Sequence, residues 1–333
     1  MDLFKDIKIT KGYSRSLLVD TTKGNIEFFS NDFYNLLTNL SDYKNITELT
    51  EKNPEFKEDI NLLKKNYVFN ENILELENFI EYEDTLESPF TFYKISIDFD
   101  KFVFNYLTDN FDIYKLTDKF IIHIYNLEDI LTIKKKLDKY KHIVKYLKIH
   151  NDIIELKEIL RIYKLDETYE LESYKDESKT NLNKIKLLVN NNIYLESKQF
   201  YSSYKNMLHI NKNGDLKFNP ENEIIIGNIL EFNNNNINDL TFNEYTNINI
   251  NDVMVCKDCE FRHFCLDKQD VIKTTFDKKK YYKKKECEYN PYICKWSHED
   301  DYLNLEYSGI TSNANIFEIN LEKFNQIFNK LWN

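Results

Sequence analysis

The 333-residue sequence contains little glycine and little proline, the two residues that most often shape turns and ligand-binding loops. It has 5 glycines and 4 prolines, and no glycine occurs between residues 92 and 201. Phosphate groups are usually bound by glycine-rich loops whose backbone can approach them closely. The sequence therefore predicts no phosphate-binding loop of that type in its central region.

Long apolar runs are also missing. No run approaches the roughly 20 apolar residues that a membrane-spanning helix needs. The opening MDLFKDIKIT lacks the apolar core of a secretory signal peptide. We therefore expect a cytoplasmic protein with no membrane contact. The net charge of −11 argues against nucleic acid as a partner, and the one basic run, residues 278–285, is interpreted as a solvated loop.

Cysteine is absent from the first 255 residues, and all five cysteines lie between Cys256 and Cys294. Cys256 and Cys259 form a CxxC pair, which can place two sulfurs on one metal. Disulfides are a second interpretation, but they need an oxidising compartment. Buried inert thiols are the third. The crowding of every thiol into one short segment favours the metal site.

The hydrophobic content of 42%, with 24 Tyr and 24 Phe, is enough for a substantial core. From residue 92 onward, strand-like and helix-like segments alternate in units of roughly 25 residues, which predicts βαβ connections, a parallel sheet and a partial (β/α) barrel. The predicted strands are 92–99, 119–125, 142–149, 168–174 and 192–197, and the helices between them are 101–110, 127–140, 151–163 and 179–188.

Both ends of the chain also carry readable patterns. The first residues predict a strand over 4–10, a hairpin of 15–20 and 25–29, and helices over 33–40, 46–51 and 56–66. We expect Asn31 or Asp32 to cap the first helix and Asn45 the second. Near the other end, Asn213 and Gly214 predict a hairpin turn within 207–220. A short strand over 302–305 and an amphipathic helix over 321–332 are expected to follow.

The segments CKDCEFRHFC (256–265) and CEYNPY (287–292), followed by Trp296, resemble the SPASM domain of the grasp-with-SPASM peptide maturases. These bacterial proteins accompany an ATP-grasp ligase and a short, ribosomally synthesised precursor peptide. KGYSRSLLVD (11–20) resembles the same family, in which a glycine, a basic residue and an aspartate have similar spacing. Three strands followed by three helices resemble a PqqD-like winged helix, the element that recognises leader peptides.

The resemblance implies a mixed α/β protein with three domains. They are a PqqD-like, winged-helix-like domain over 1–72, a degenerate radical-SAM-like partial barrel over 73–201, and a SPASM domain over 202–333. The radical-SAM motif CxxxCxxC is expected after the first barrel strand, but the loop at 98–101 holds no cysteine. The resemblance therefore implies a barrel without radical-SAM chemistry, and whether the chain is itself an enzyme is left open.

The resemblance also implies a ligand set for one [4Fe-4S] cluster. The ligands would be Cys256, Cys259, Cys265 and Cys287, with Cys294 as a spare or as a substitute for Cys287. Zinc remains an alternative, because it also accepts four cysteines. A second auxiliary cluster is not expected, since Lys268 replaces one of its cysteines, and Asn219 and Asn222 stand where a further ligand belongs.

Other polar residues carry weaker signals. Asp98 and Asp100 follow the first barrel strand, where barrels place catalytic groups. His123, His142 and His150 lie in or beside strands, and they are interpreted as structural because no nucleophile motif accompanies them.

The expected function is maturation of a ribosomally synthesised peptide together with an ATP-grasp ligase. The precursor leader would add a strand to the edge formed by Asn25, Ile26, Glu27, Phe28 and Phe29, with helix 56–66 as the other wall. Alternatively, these residues pack against the rest of the protein. Two other functions remain open, namely a cluster-dependent redox enzyme that acts on the peptide and a zinc-stabilised adaptor without catalysis. The chain could also form a homo-oligomer.

Overall fold

The structure is a computed structural model of a mixed α/β protein, as the sequence predicts. The residues it describes are 2–66, 68–70, 92, 94–117, 119–125, 129, 133, 144–149, 170–173, 187–201, 207–220, 222–234, 236–237, 248–266 and 269–332. The helices predicted at 127–140, 151–163 and 179–188 lie largely outside these residues, as do His142, His150 and Lys268.

The N-terminal region is a small antiparallel sheet followed by three helices. The sheet has the order β2-β3-β4, and β1 pairs separately with β5. The elements are β1 (Asp2–Leu3), β2 (Ile7–Lys11), β3 (Ser16–Asp20), β4 (Ile26–Phe29), α1 (Asn31–Leu37), α2 (Ile46–Lys52), α3 (Lys57–Lys65) and β5 (Phe69–Asn70).

Local side chains explain the turns and helix starts in this region. The Asp20 carboxylate accepts hydrogen bonds from the backbone of Thr22 and Lys23 at 3.0 and 2.9 Å, and Gly24 supplies the positive φ that closes the hairpin. Asn45 caps α2, as predicted. The cap of α1 was predicted wrongly by one or two positions, because it is the Ser30 side chain that accepts the Phe33 N–H at 3.2 Å.

Strand β3 is buried along its whole length because both faces of the sheet are covered. Leu18 faces the helices and packs with Phe33, Ile60 and other residues of α1–α3. Leu17 and Val19 face the opposite way. They pack against a second cluster that contains Tyr194, Phe261, Phe264 and Tyr289. The N-terminal sheet is thus sandwiched between its own helices and the cysteine-rich region.

The central region contains a seven-stranded sheet. Its order is β12-β11-β10-β6-β7-β8-β9, in which β10, β6, β7, β8 and β9 are parallel and β11 and β12 are antiparallel. The elements are β6 (Lys94–Asp98), α4 (Lys101–Asn110), α5 (Ile113–Leu116), β7 (Phe120–Ile124), β8 (Val144–Ile149), β9 (Glu170–Ser173), α6 (Asn191–Gln199), β10 (Met207–Ile210), β11 (Asp215–Lys217) and β12 (Gly227–Asn228).

This arrangement confirms the parallel sheet and the hairpin of β10 and β11, with Gly214 in the left-handed conformation at its turn. The sheet is open, however, and the described strands form no barrel. It also includes strands from both sides of the domain boundary predicted between residues 201 and 202.

One predicted strand is a helix. Residues 192–197 belong to α6, because the Asn190 side chain accepts hydrogen bonds from the backbone of Asn192 and Ile193 and so caps a helix. Tyr194 and Ser197, three residues apart, form its buried face. Ile193 and Tyr194 favour strands, and the strand prediction took no account of the Asn190 cap.

The C-terminal region consists of short hairpins and a final helix. The elements are β13 (Val271–Lys273), β14 (Tyr281–Lys283), β15 (Tyr289–Asn290), β16 (Lys295–Trp296), β17 (Ile310–Ser312), β18 (Phe317–Ile319) and α7 (Leu321–Trp332). The strand predicted over 302–305 is wrong, since these residues form turns and irregular backbone. Helix α7 is confirmed and docks through buried Phe324. None of the described helices is long and apolar enough to cross a membrane.

Candidate functional site

Four of the five cysteines line one cavity. Cys256, Cys259, Cys265 and Cys287 border it together with aromatic and basic side chains, including Phe261, Tyr289, Trp296, Arg262 and Lys283. The structure thus brings together the four thiols that the sequence singled out, although Cys287 is separated from Cys265 by the whole hairpin of β13 and β14.

The backbone around the CxxC pair is held from two sides. Met254 donates its N–H to Tyr281 O on β14 at 2.7 Å, and Leu188 donates to Phe264 O at 2.9 Å. Between these anchors, Cys256 begins a short 3₁₀ turn. The preceding Val255 has φ of 68°, which is a strained conformation for a β-branched residue. Such strain is common at functional sites, and Val255 itself lines the cavity.

Cys287 and Cys294 have different environments. The backbone N–H of Tyr289 points to Cys287 Sγ at 3.4 Å, and N–H groups directed at a sulfur stabilise a thiolate or a metal-bound sulfur. Cys294 is buried outside the cavity, and its thiol points to Pro291 O at 3.7 Å. Burial, with the charge of Glu260 adding to it, raises the pKa of Cys294 to about 12. Since the pKa of Cys259 in the cavity is raised too, it is the position of Cys294 outside the cavity that matches the role of the spare.

Burial and nearby charges keep the Cys259 thiol neutral until a cation binds. Burial, followed by the charges of Glu260 and of the other three cavity thiols, raises the pKa of Cys259 well above its ordinary value. In the absence of a cation this thiol stays protonated, and metal binding would release its proton. Lys283, from the basic run, and Arg262 both line the cavity, where they can balance the surplus negative charge of four thiolates.

The donor set fits a thiolate-bound metal group in type and in number. Four cysteines satisfy either a zinc ion or a cubane iron–sulfur cluster. Among the described residues, no three His, Cys, Asp or Glu side chains form a ready site for a metal ion. A cubane takes one thiolate on each of four irons and so spreads its ligands more widely than one zinc does.

The N-terminal region docks directly on the CxxC segment. The Tyr13 N–H donates to Asp258 O at 2.7 Å, and Arg262 Nη1 donates to Lys11 O at 2.5 Å. Gly12 lies so close that a Cβ there would stand 3.0 Å from Glu260 Cβ and 2.6 Å from Arg15 O. The glycine of the KGYSR segment is thus required by close packing.

A buried ion pair completes this contact. Arg15 Nε donates to Glu260 Oε1 at 2.7 Å, and the Glu260 side chain is 0% exposed. The Tyr289 hydroxyl donates to the same oxygen. Glu260 Oε2 has no hydrogen-bond partner among the described residues. From the sequence, Arg15 was identified only as the basic residue of a motif, and no role was predicted for Glu260. Arg15 lies in one of the segments that carry the family resemblance, and Glu260 lies in another.

The predicted peptide-binding residues lie on an edge strand. Among the described strands, β4 pairs only with β3. Phe29 turns toward Phe33 of α1, whereas Ile26 and Phe28 are 37% and 43% exposed. The Phe28 ring lies 5.7 Å from that of Phe261, which lines the cysteine cavity.

The residues that flank β4 have mainly structural contacts. Asn25 precedes the strand, and its carbonyl accepts the Asp20 N–H at 3.0 Å. The end of α3 comes near the same hairpin, since Lys23 Nζ contacts Asn66 O at 3.2 Å. Helix α3 otherwise packs through Ile60 and Leu63 into the core beneath the sheet.

The two carboxylates after β6 also have structural partners. Asp100 caps α4 by accepting from Phe102 and Val103 at 2.8 and 3.0 Å. Asp98 accepts from the Tyr125 hydroxyl at 2.9 Å and lies 3.4 Å from His209 Nε2. Although burial raises the pKa of Asp98, these two partners outweigh it and hold the pKa below its usual range.

The histidines near this carboxylate are buried in the sheet. His209 Nδ1 lies 3.0 Å from Ser96 Oγ, and the His123 ring is 5.8 Å from that of His209. Ser96, His209 and Asp98 form a hydrogen-bonded row, but Ser96 is buried inside the sheet and cannot meet a substrate. These contacts support a structural role for His123.

Where a second cluster would have needed ligands, the chain has a polar cross-link. Asn222 Nδ2 donates to Asp270 Oδ1 at 2.5 Å, and the Glu223 N–H donates to Asp270 Oδ2 at 2.7 Å. The Asn219 N–H donates to Asn222 Oδ1 at 3.1 Å. All three side chains, those of Asn219, Asn222 and Asp270, are buried.

Comparison of the chain with protein-family models, curated proteins and solved structures gives no match. The interpretation of the site therefore depends on its own geometry and on the motifs of the sequence.

Proposed function

We propose that this protein is a maturation partner for a ribosomally synthesised peptide and works beside an ATP-grasp ligase. In this proposal, residues 1–72 bind the leader of the precursor through β4, and the cysteine cavity holds one [4Fe-4S] cluster. It is supported by the SPASM-like and PqqD-like resemblance of the motifs, although the central sheet includes strands from both sides of the boundary predicted at residue 201. Its cellular setting is the bacterial cytoplasm.

The observation that carries the proposal is the adjacency of two features predicted separately from the sequence. The four cysteines border one cavity, and the edge strand meets that cavity through the contact of Phe28 with Phe261. A peptide that extends the sheet at β4 would therefore run beside the cysteine site. Its backbone would pair with the strand, and its alternate side chains would pack against Ile26 and Phe28.

Seven of the residues that line the cavity have a definable task in this proposal. The cysteines hold the metal group, the Tyr289 N–H stabilises Cys287 Sγ, and Arg262 with Lys283 balances the thiolate charge. A bound cluster supplies either one-electron redox capacity or a rigid cross-link between segment 256–265 and Cys287. The polar cross-link at Asn222 and Asp270 supports the expectation that only one cluster is present.

Metal and sulfide analysis of anaerobically purified protein, with an absorption spectrum, tests the proposal. We expect about four irons and about four sulfides per chain. Cys256→Ala should lose them, whereas Cys294→Ala is the matched control and should retain them, because Cys294 lies outside the cavity.

Other outcomes would redirect the function. One zinc with no visible absorption would make the site a structural clamp, and the chain would then act as a zinc-stabilised adaptor. Loss of metal from Cys294→Ala with retention in Cys287→Ala would assign the fourth ligand to Cys294. Absence of any metal, with all thiols free, would refute the central claim.

A further inference from the structure

One side chain, Arg15, contacts both halves of the proposed site. Its Nε bonds to Glu260 at 2.7 Å, and its Nη2 bonds to the Tyr289 hydroxyl at 3.1 Å. Glu260 directly follows Cys259, and Tyr289 lies two residues beyond Cys287. The guanidinium carbon also lies 3.8 Å from the centre of the Phe28 ring on β4. A planar guanidinium can make such hydrogen bonds and ring contacts together, whereas an ammonium cannot.

The Phe28 side chain is thus held by residues of the cysteine-rich segment and by Arg15, which is bound to that segment. Its ring contacts Arg15 and, at 5.7 Å, Phe261. Both contacts depend on the segment between Cys259 and Arg262, because Phe261 belongs to that segment and Arg15 is anchored to it through Glu260. Phe28 is nevertheless 43% exposed, so it is the side chain that an added peptide strand would meet.

The Glu260 carboxylate that holds Arg15 is buried at a cost in free energy. Glu260 is fully buried, and its Oε2 has no hydrogen-bond partner among the described residues. A buried carboxylate with an unsatisfied oxygen favours any rearrangement that returns it to water. Metal ligation would oppose that rearrangement, since it fixes Cys259 and orders the loop around it.

We infer that Arg15 couples metal ligation at the cysteine cavity to the order of strand β4, so that metal and peptide each favour binding of the other. When the cysteines are ligated, Glu260 stays in place and Arg15 holds Phe28. When they are free, the segment loosens, Arg15 loses its anchor and β4 becomes less ordered. Coupling of this kind is reciprocal by thermodynamic necessity. The inference rests on the proposed function, because it takes the four cysteines as ligands and β4 as the peptide edge.

Hydrogen exchange of the full chain tests the coupling without a known precursor. The probe is Zn²⁺, which is redox-silent and accepts four thiolates. Reduced protein is compared with and without one equivalent of Zn²⁺, and zinc content is measured on the same samples. We expect zinc to slow amide exchange over Ile26–Phe29 by about tenfold, while helix α4, which packs on the central sheet, is unchanged.

The variants separate coupling from simple structural support. Arg15→Gln should bind zinc but show less than about a twofold change at β4, because its anchor to Glu260 is gone. Arg15→Lys keeps the charge without the planar fork and should recover only part of the effect. Lys5→Gln removes an exposed charge from the same region and should behave as the parent protein does.

Three results would overturn the inference, and they differ in what else they remove. Equal zinc protection of β4 in Arg15→Gln and the parent would show that the order of β4 does not pass through Arg15. Stoichiometric zinc with no effect on β4 in the parent would refute the coupling and leave the metal site standing. Failure of the parent to bind zinc, together with no iron or sulfide in the anaerobically purified protein, would remove the metal site and the coupling together.

Discussion

The ion pair between Arg15 and Glu260 gives a quantitative test of the contact between the N-terminal region and the cysteine segment. Arg15 Nε and Glu260 Oε1 are 2.7 Å apart, and the exposed fractions of the two side chains are 24% and 0%. The perturbation is a double-mutant cycle in which each residue is replaced by methionine, alone and together, in the metal-loaded protein. Methionine has a similar length and no charge.

The two single variants should differ in cost because the two side chains differ in exposure. Arg15→Met leaves the Glu260 carboxylate buried with only the Tyr289 hydroxyl, and breaking a buried pair in this way costs about 3–5 kcal/mol. Glu260→Met leaves a guanidinium that water still reaches, so we expect about 1–3 kcal/mol. The double variant leaves no uncompensated charge, and the coupling energy should reach about 2–3 kcal/mol.

The assay is urea unfolding followed by far-ultraviolet circular dichroism, with the free energy of unfolding compared across the four proteins. The pair of Lys52 and Glu48 on α2 is a matched control, since it has the same 2.7 Å separation on the protein surface. We expect no measurable coupling there. If the Arg15 and Glu260 effects add to within about 0.5 kcal/mol, the reasoning about the buried pair is wrong.

Three further predictions concern single positions. Gly12→Ala should lower the free energy of unfolding by about 1–3 kcal/mol, because the new Cβ would lie 2.6 Å from the backbone oxygen of Arg15. Gly227→Ala is the control and should cost less in the same urea titration, because its Cβ would lie 3.3 Å from the end of the Phe232 side chain. Asp98 has a pKa held low by its hydrogen bonds despite burial, so its contribution to stability is present above about pH 4 and is lost at lower pH. Asp98→Asn should therefore show a flatter fall of the melting temperature between pH 5 and pH 2, and an unchanged slope would contradict this account. Asn190→Ala should cost about 1 kcal/mol through loss of the helix cap, whereas Asn192→Ala at an exposed position of the same helix should be nearly neutral in thermal melts.

Local signals in the sequence predicted much of the secondary structure. The hairpin turn before β4 has its chemistry within five residues, in the Asp20 side chain and Gly24. The strand prediction for residues 192–197 is wrong. Strand-favouring residues, Ile193 and Tyr194, lie within a few positions of Asn190, which caps a helix, and the helix forms in the structure. Short-range chemistry is readable from sequence, but the outcome of such a competition depends on packing around Tyr194 and Ser197.

Part of the candidate site was likewise predicted from the sequence, and part of it was not. The family resemblance implied four ligand thiols, and the structure places them around one cavity. The link between Arg15 and Glu260 joins residues 245 positions apart, and no pattern within either segment specifies it. Nor did alternation predict that β10 would pair with β6, because pairing of distant strands is decided by tertiary packing.

The double coverage of β3 has a practical consequence for dividing this chain into pieces. Leu17 and Val19 are buried by residues from beyond position 190. A fragment that ended at residue 70 would return these two side chains to water, at about 1.5–3 kcal/mol for each. It would also acquire an apolar surface suited to self-association. The first seventy residues therefore depend on the cysteine-rich region for their stability, and a fragment made to test the proposed leader binding must contain both.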